Sequence, residues 1–72
     1  MYFEVKAFKG NVRRFENLDS FGELEDFCAK YSELNFRKMI VRAFDCEGFR
    51  SVSYFTFEEG TYRRLKIIRE RV

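Results

Sequence analysis

The sequence contains no histidine, no proline and no tryptophan, and only two of its 72 residues are cysteine. The absence of histidine removes both the commonest general base of enzymes and the commonest metal ligand. Cys28 and Cys46 do not form a C-x-x-C pair, so the chain lacks a zinc signature. It also lacks a G-x-S-x-G turn and a glycine-rich phosphate loop. We therefore expect a protein that is not an enzyme and that has no catalytic residue, no metal site and no cofactor.

Long apolar runs are missing as well. No apolar segment approaches the roughly 18 residues that a membrane-spanning helix requires, and no basic stretch followed by an apolar run opens the chain. Without a Ser/Gly-rich linker or an internal repeat, residues 1–72 are expected to form a single domain. The small number of cysteines fits a reducing compartment, so we expect a cytoplasmic protein.

Aromatic residues are abundant, with ten Phe and four Tyr. A chain of this length hides only about 60% of its unfolded surface, so its core is small. Each buried Phe contributes on the order of 1.5–3 kcal/mol. We expect these rings to replace the disulfides and metal ions that stabilise many small domains.

Charge is unevenly placed along the chain, although the formal net charge is only +2. Residues 1–36 carry five basic and seven acidic side chains, whereas residues 37–72 carry nine basic and five acidic ones. The positive second half indicates either an anionic partner or a solvated surface.

The first sixteen residues are predicted to form a β-hairpin. Residues 1–8 alternate apolar and polar side chains, as a half-buried strand does. A turn at residues 9–11 contains Gly and Asn, and residues 12–16 follow as a short second strand.

A helix is predicted to begin near Ser20. Ser20 and Glu23 have the S-x-x-E spacing of a capping box, and Asp19 is a rival cap one residue earlier. An apolar stripe at helical spacing follows, made of Phe21, Leu24, Phe27, Cys28 and Tyr31.

The second half is predicted to form two further hairpins. Strands between residues 36 and 57 flank a four-residue loop at 45–48, and residues 58–60 form a three-residue loop. The pattern of residues 61–72 fits a strand or a helix, and the missing N-cap favours the strand. The predicted fold is therefore α+β, a small antiparallel sheet in the order ββαβββ with one helix packed on one face.

These loop lengths assign side chains to the two faces of the sheet. The face predicted to contact the helix is rich in Phe and consists of Phe36, Ile40, Phe44, Phe49, Ser51, Ser53, Phe55, Phe57, Leu65 and Ile67. The other face combines apolar residues, Tyr and cations, and we predict it to bind a partner through Met39, Val41, Arg50, Val52, Tyr54, Tyr62, Arg64, Lys66 and Ile68. Aromatic residues, Met and Arg are the types enriched in interface cores.

The leading functional prediction is a protein-interaction module that docks on a protein partner or on a copy of itself. A small adaptor or inhibitor, of the kind that phages and mobile elements carry, fits this size. The alternative is single-stranded nucleic-acid binding by the same Tyr, Arg and Lys residues, since aromatic platforms flanked by cations stack bases and neutralise phosphates. If residues 61–72 were a helix covering the second face, both functions would lose their site.

One stretch resembles a known family. Residues 47–54 resemble the conserved octapeptide of the RNA-recognition motif, which lies on a sheet strand and binds RNA. The matching residues are Gly48, Phe49, Val52 and Tyr54. The residues that differ stand at the positions that contact RNA, and they are Glu47, Arg50 and Ser51. The βαββαβ order of that fold also does not fit a chain that begins with a hairpin, so we interpret the match as shared strand composition.

Overall fold

The computed structural model describes residues 1–71 and has an α+β fold with five strands and one helix in the order ββαβββ. The elements are β1 (Tyr2–Lys9), β2 (Val12–Leu18), α1 (Phe21–Glu33), β3 (Lys38–Phe44), β4 (Phe49–Glu58) and β5 (Thr61–Arg71). The predicted fold class and the strand in the last segment are confirmed. Val72, the last residue of that predicted strand, lies outside the described residues.

All five strands belong to one antiparallel sheet in the order β2-β1-β3-β4-β5. Strands that follow one another in the sequence are also neighbours in the sheet, except for β2 and β3. Between these two, α1 carries the chain across β1. The helix begins beside β1, where the rings of Phe21 and Phe3 lie 5.1 Å apart. Further along it reaches β3, where the Cys28 Sγ lies 3.7 Å from the Met39 Sδ. One face of the sheet is therefore partly covered by α1.

The first hairpin closes on a two-residue turn. Lys9 pairs with Val12, and Gly10 has a φ of 57° while Asn11 stays in the ordinary negative range. Positive φ at the first central residue is typical of a type II′ turn, which matches the twist of the strands and which Gly adopts without steric cost.

Both ends of α1 are capped by side chains or backbone turns. The Ser20 Oγ accepts a hydrogen bond from the Glu23 backbone N–H at 3.1 Å, which confirms Ser20 as the N-cap. At the other end, Asn35 has a φ of 61°, and the Phe36 N–H donates to the Tyr31 carbonyl at 3.0 Å. Together with the ring contact between Tyr31 and Phe36 at 4.9 Å, this is a Schellman motif, which reverses the chain into β3.

The core lies between α1 and the covered face of β1 and β3. Its buried members are Phe3, Val5, Ala7, Leu18, Phe27, Tyr31, Phe36, Met39 and Val41. The alternation predicted for the first strand is correct, because Phe3, Val5 and Ala7 all point into this core.

The hairpin between β3 and β4 has a longer loop than the sequence predicted. Phe44 pairs with Arg50, so five residues, 45–49, separate the paired positions of β3 and β4 instead of four, although Phe49 already belongs to β4 through its pairing with Arg71. The Asp45 carboxylate builds it by accepting hydrogen bonds from the backbone N–H groups of Glu47 at 2.9 Å and Phe49 at 3.0 Å. One extra loop residue moves every side chain of β3 to the opposite face relative to β4.

The last hairpin departs from the prediction in two places. Glu58 pairs with Thr61, so the loop contains only Glu59 and Gly60. Both have positive φ, 52° and 82°, as a type I′ turn requires. A β-bulge then shifts the register, since Tyr54 pairs with Lys66 while Phe55 pairs with Arg64. The bulge leaves Leu65 without a partner and restores the predicted alternation beyond it.

Candidate binding face

The sheet face opposite α1, here called the open face, is not covered by any other element of the described chain. The strand registers place on it the apolar residues Phe8, Phe15, Ile40, Phe44, Val52, Tyr54, Leu65 and Ile68. The same registers place on it the cations Lys6, Arg13, Lys38, Arg42, Arg50, Arg63 and Lys66. Solvated sheet faces normally carry polar residues at these positions, so an apolar centre bordered by cations is unusual.

The nine residues predicted to share one face are divided between two faces. Those on the open face are Arg50, Val52, Tyr54, Lys66 and Ile68. Those on the helix side are Met39, Val41, Tyr62 and Arg64.

Met39 and Val41 are core residues, which corrects their predicted placement. They pair with Ala7 and Val5 across β1, and Met39 is only 1% exposed. The cause is the five-residue loop built by Asp45, since a four-residue loop would have turned both side chains to the open face.

Tyr62 and Arg64 also lie on the helix side, because the turn at residues 59–60 is one residue shorter than predicted. Tyr62 packs against the core and donates a hydrogen bond to the Phe36 carbonyl at 2.6 Å. Arg64 pairs with Phe55 on the same side but remains exposed at the sheet edge.

Three residues predicted to contact the helix lie on the open face instead, namely Ile40, Phe44 and Leu65. Ile40 pairs with Tyr54, and Phe44 pairs with Arg50. Asp45 at the first loop position was the available signal for Ile40 and Phe44, because an Asp side chain can accept hydrogen bonds from the backbone of the residues that follow it and so shape the loop. The position of Leu65 depends on a β-bulge that no residue pattern in β5 predicts.

A shallow groove crosses the open face between β1 and β5. Its volume is about 380 Å³, and the open-face residues that line it are Phe8, Lys38, Ile40, Tyr54, Thr56 and Leu65. Leu65 is 60% exposed at the β5 end, where the bulge turns it toward Tyr54. Because Thr56 is smaller than the neighbouring side chains, it leaves space at the bottom of the groove.

Three lysines surround this groove. Across the paired strands, Lys6 stands opposite Ile40, Lys38 opposite Thr56, and Lys66 opposite Tyr54. Directly opposed side chains on one face have Cβ atoms about 4.5–5.5 Å apart, so each ammonium group can reach the rim of the groove. The site is therefore apolar in the middle and positive at its border.

Two ion pairs lie at the ends of the open face. Arg50 contacts Glu70 at 2.7 Å, and Arg63 contacts Glu58 at 3.1 Å. Partly exposed pairs of this kind contribute little to stability. Their effect is to occupy two of the carboxylates on this face, and the Nε of Arg50 is buried without a hydrogen-bond partner among the described residues.

Two titratable side chains packed against the core on the helix side, Cys28 and Tyr62, have shifted pKa values. Burial raises the pKa of the Cys28 thiol, with a smaller contribution from the Glu25 charge. Burial also raises the pKa of Tyr62, with Cys28 as the second cause. A raised thiol pKa keeps Cys28 protonated and unreactive at neutral pH, which is the opposite of what a nucleophile needs.

A second exposed apolar area lies on the helix side, at the corner of β4 and β5 that α1 does not reach. Phe49 and Ile67 are 36% and 46% exposed there. Arg69 and Arg71 lie over the Phe49 ring, at 5.9 Å and 5.8 Å from its centre. This corner is smaller than the open face and provides the natural comparison for it in binding experiments.

Within residues 1–71, no three Cys, Asp or Glu side chains are grouped closely enough to hold a metal ion. The one helix of this part of the chain is too short and too polar to cross a membrane.

The fold and the site together define a small α+β protein with one face of its sheet uncovered. No protein-family model, curated protein or solved structure matches the chain.

Proposed function

We propose that this chain is a non-enzymatic binding module that docks on a protein partner through the open face. The groove between Phe8 and Leu65 is the observation that carries the proposal, because it is apolar, partly exposed and bordered by cations. Protein interfaces have the same anatomy, with an apolar, aromatic centre and a polar rim.

The groove fits an anchoring side chain of a partner. Tyr54 and Ile40 form its middle, and Leu65 supplies the most exposed apolar surface. Binding energy in interfaces concentrates where one side chain fills such a depression and neighbouring contacts exclude water. Exposed contiguous apolar patches on small proteins commonly mark interaction sites.

Two adjacent isoleucines provide a matched test. Ile68 pairs with Val52 on the open face, and Ile67 pairs with Ser53 on the helix side. The two side chains have comparable exposure, 36% and 46%. Tagged wild-type chain, Ile68→Ser and Ile67→Ser are used to capture partners from the source cells after nuclease treatment.

We expect the wild type and Ile67→Ser to retain the same partner, and Ile68→Ser to lose most of it. If Ile68→Ser keeps the partner and Ile67→Ser loses it, the binding site lies at the corner of β4 and β5 and not on the open face. Circular dichroism of each variant checks that it is folded before binding is compared.

Single-stranded nucleic-acid binding is the second candidate, and one row of the open face favours it. Phe15, Lys6, Ile40, Tyr54 and Lys66 stand opposite one another across five strands. Aromatic rings next to cations provide stacking and phosphate contacts. The whole chain carries a net charge of only +2, which limits the electrostatic affinity on which such binding depends.

Fluorescent oligonucleotides titrated at two salt concentrations separate these candidates. Phosphate binding weakens steeply with salt, because each neutralised phosphate releases counterions. Tight binding that is lost in Tyr54→Ala and weakens steeply with salt would support the nucleic-acid function. We further propose the cytoplasm as the compartment, since Cys28 and Cys46 are both free thiols.

A further inference from the structure

The charge of the open face differs from that of the rest of the molecule. Seven basic and three acidic side chains lie on this face, an excess of four positive charges. Because the whole chain carries only +2, all other residues together carry −2. The positive charge of the protein is therefore concentrated on the surface that contains the groove.

The carboxylates of the open face are already engaged. Glu70 and Glu58 are held by arginines in the two ion pairs, and Glu4 accepts a hydrogen bond from the Tyr2 hydroxyl at 3.2 Å. Across residues 1–71, Lys38 and Lys66 have no carboxylate within ion-pair distance. These lysines border the groove with their charge unpaired.

A partner with carboxylates beside its anchor would satisfy these lysines. We infer that the open face binds an acidic segment of another protein, an inference that rests on the proposed docking function. An apolar side chain of that segment enters the groove, and flanking Asp or Glu side chains pair with Lys6, Lys38 and Lys66. Such charge complementarity speeds association and rejects basic partners.

A second copy of the chain fits this face poorly. Two open faces in contact would bring two sets of unpaired lysines together, and like charges across an interface cost several kcal/mol. Another copy also offers a mainly acidic groove between β2 and α1, whose charged lining residues are Glu16, Asp19, Glu23, Asp26 and Lys30. Contact between that groove and an open face is head-to-tail and joins different surfaces, so it extends into chains of copies or into rings.

Selection from a random library of short displayed peptides tests the inference without a known partner. The immobilised full-length chain is the target, and Ile68→Ser is used to remove peptides that bind elsewhere. We expect the selected peptides to share an apolar or aromatic residue flanked by Asp or Glu, and to bind more weakly as salt is raised.

Two charge reversals in β5 provide the matched control. Lys66 lies on the open face and Arg64 on the helix side, so Lys66→Glu and Arg64→Glu change the net charge equally. Lys66→Glu should raise the Kd of a selected peptide at least about tenfold, whereas Arg64→Glu should change it far less. Equal effects would mean that only the net charge matters and would overturn the inference.

The remaining outcomes are distinguishable. Selected peptides that are neutral and apolar, and whose binding requires Ile68, would overturn the inference of an acidic partner. They would still support docking through the open face. If the selection yields no peptide whose binding depends on the open face, the proposed docking function is itself overturned. Concentration-dependent association of the chain in sedimentation, abolished by Ile68→Ser, would identify a second copy as the occupant. Tighter binding of oligothymidylate than of any peptide would identify nucleic acid.

Discussion

The two faces of the sheet use the same kinds of residue in different arrangements. On the helix side of β1 and β3, apolar residues stand next to one another and close into a dry core around Met39 and Val5. On the open face, apolar residues alternate with lysines and arginines, and no element of the described chain covers them. Cations next to apolar side chains keep such a face hydrated, and under the proposed docking function a partner would replace that water.

The largest expected difference between the faces concerns two adjacent residues of β3. Met39→Ala should lower the free energy of unfolding by about 3 kcal/mol, because it leaves a cavity in the core. Ile40→Ala should lower it by about 1 kcal/mol, because water fills the space at a half-buried position. Urea unfolding of both variants measures the difference, and a larger loss for Ile40→Ala would reverse the assignment of the faces.

A smaller difference separates two tyrosines. Tyr62→Phe removes the hydrogen bond to the Phe36 carbonyl and should lower the free energy of unfolding by about 1 kcal/mol. Tyr54→Phe, on the open face, should change it by less than about 0.5 kcal/mol. Thermal or urea unfolding compares the two. An unchanged free energy of unfolding in Tyr62→Phe would show that the Tyr62 hydroxyl has no structural role on the helix side.

Glu59 tests the turn that separates the two faces of β4 and β5. Its φ of 52° lies in the left-handed region, which Asn adopts more readily than Glu. Glu59→Asn should therefore raise the free energy of unfolding by about 0.5–1 kcal/mol. Glu58→Asn, at the paired position next to the turn, is the control and should not stabilise the protein.

The smallest expected effect is a loss of stability at alkaline pH. The ordinary pKa is 9.0 for Cys28 and 10.0 for Tyr62, and both are raised by burial. The folded state therefore favours the neutral forms, so their contribution is complete below pH 9 and is lost as pH rises through the raised values. Cys28→Ser should flatten this decline in urea unfolding, whereas Cys46→Ser, at an exposed thiol, should not.

Much of the fold was predictable from local chemistry. The N-cap at Ser20, the alternation of β1 and the strand character of β5 each depend on neighbouring residues, and each prediction is correct. The second bond of the predicted capping box differs, because the Glu23 carboxylate accepts a hydrogen bond from the Asp19 N–H instead of the Ser20 N–H. The cap at Asn35 was also predictable, since Asn followed by an apolar residue is typical of a helix end.

The division of residues between the two faces was harder to predict, because it depends on the exact number of residues in each loop. The loop that begins at Asp45 is one residue longer than predicted, so Ile40 and not Met39 lies on the open face. The turn at Glu59 is one residue shorter than predicted, so Tyr62 and Arg64 lie on the helix side. The bulge at Leu65 corrected the second shift by the end of β5, which is why the predictions for Lys66 and Ile68 are correct. A one-residue change in a loop turns every side chain of the next strand to the opposite face. A helix cap, in contrast, depends only on the few residues around it.

The three isoleucines of the chain allow the most direct test of the central claim, that the open face is the binding surface. Ile40 and Ile68 lie on the open face, and Ile67 lies on the helix side. Methyl NMR spectra of isoleucine-labelled chain are recorded while a selected peptide is titrated. Our account predicts that the Ile40 and Ile68 methyl signals shift and the Ile67 signal stays in place. Movement of the Ile67 signal alone would contradict it.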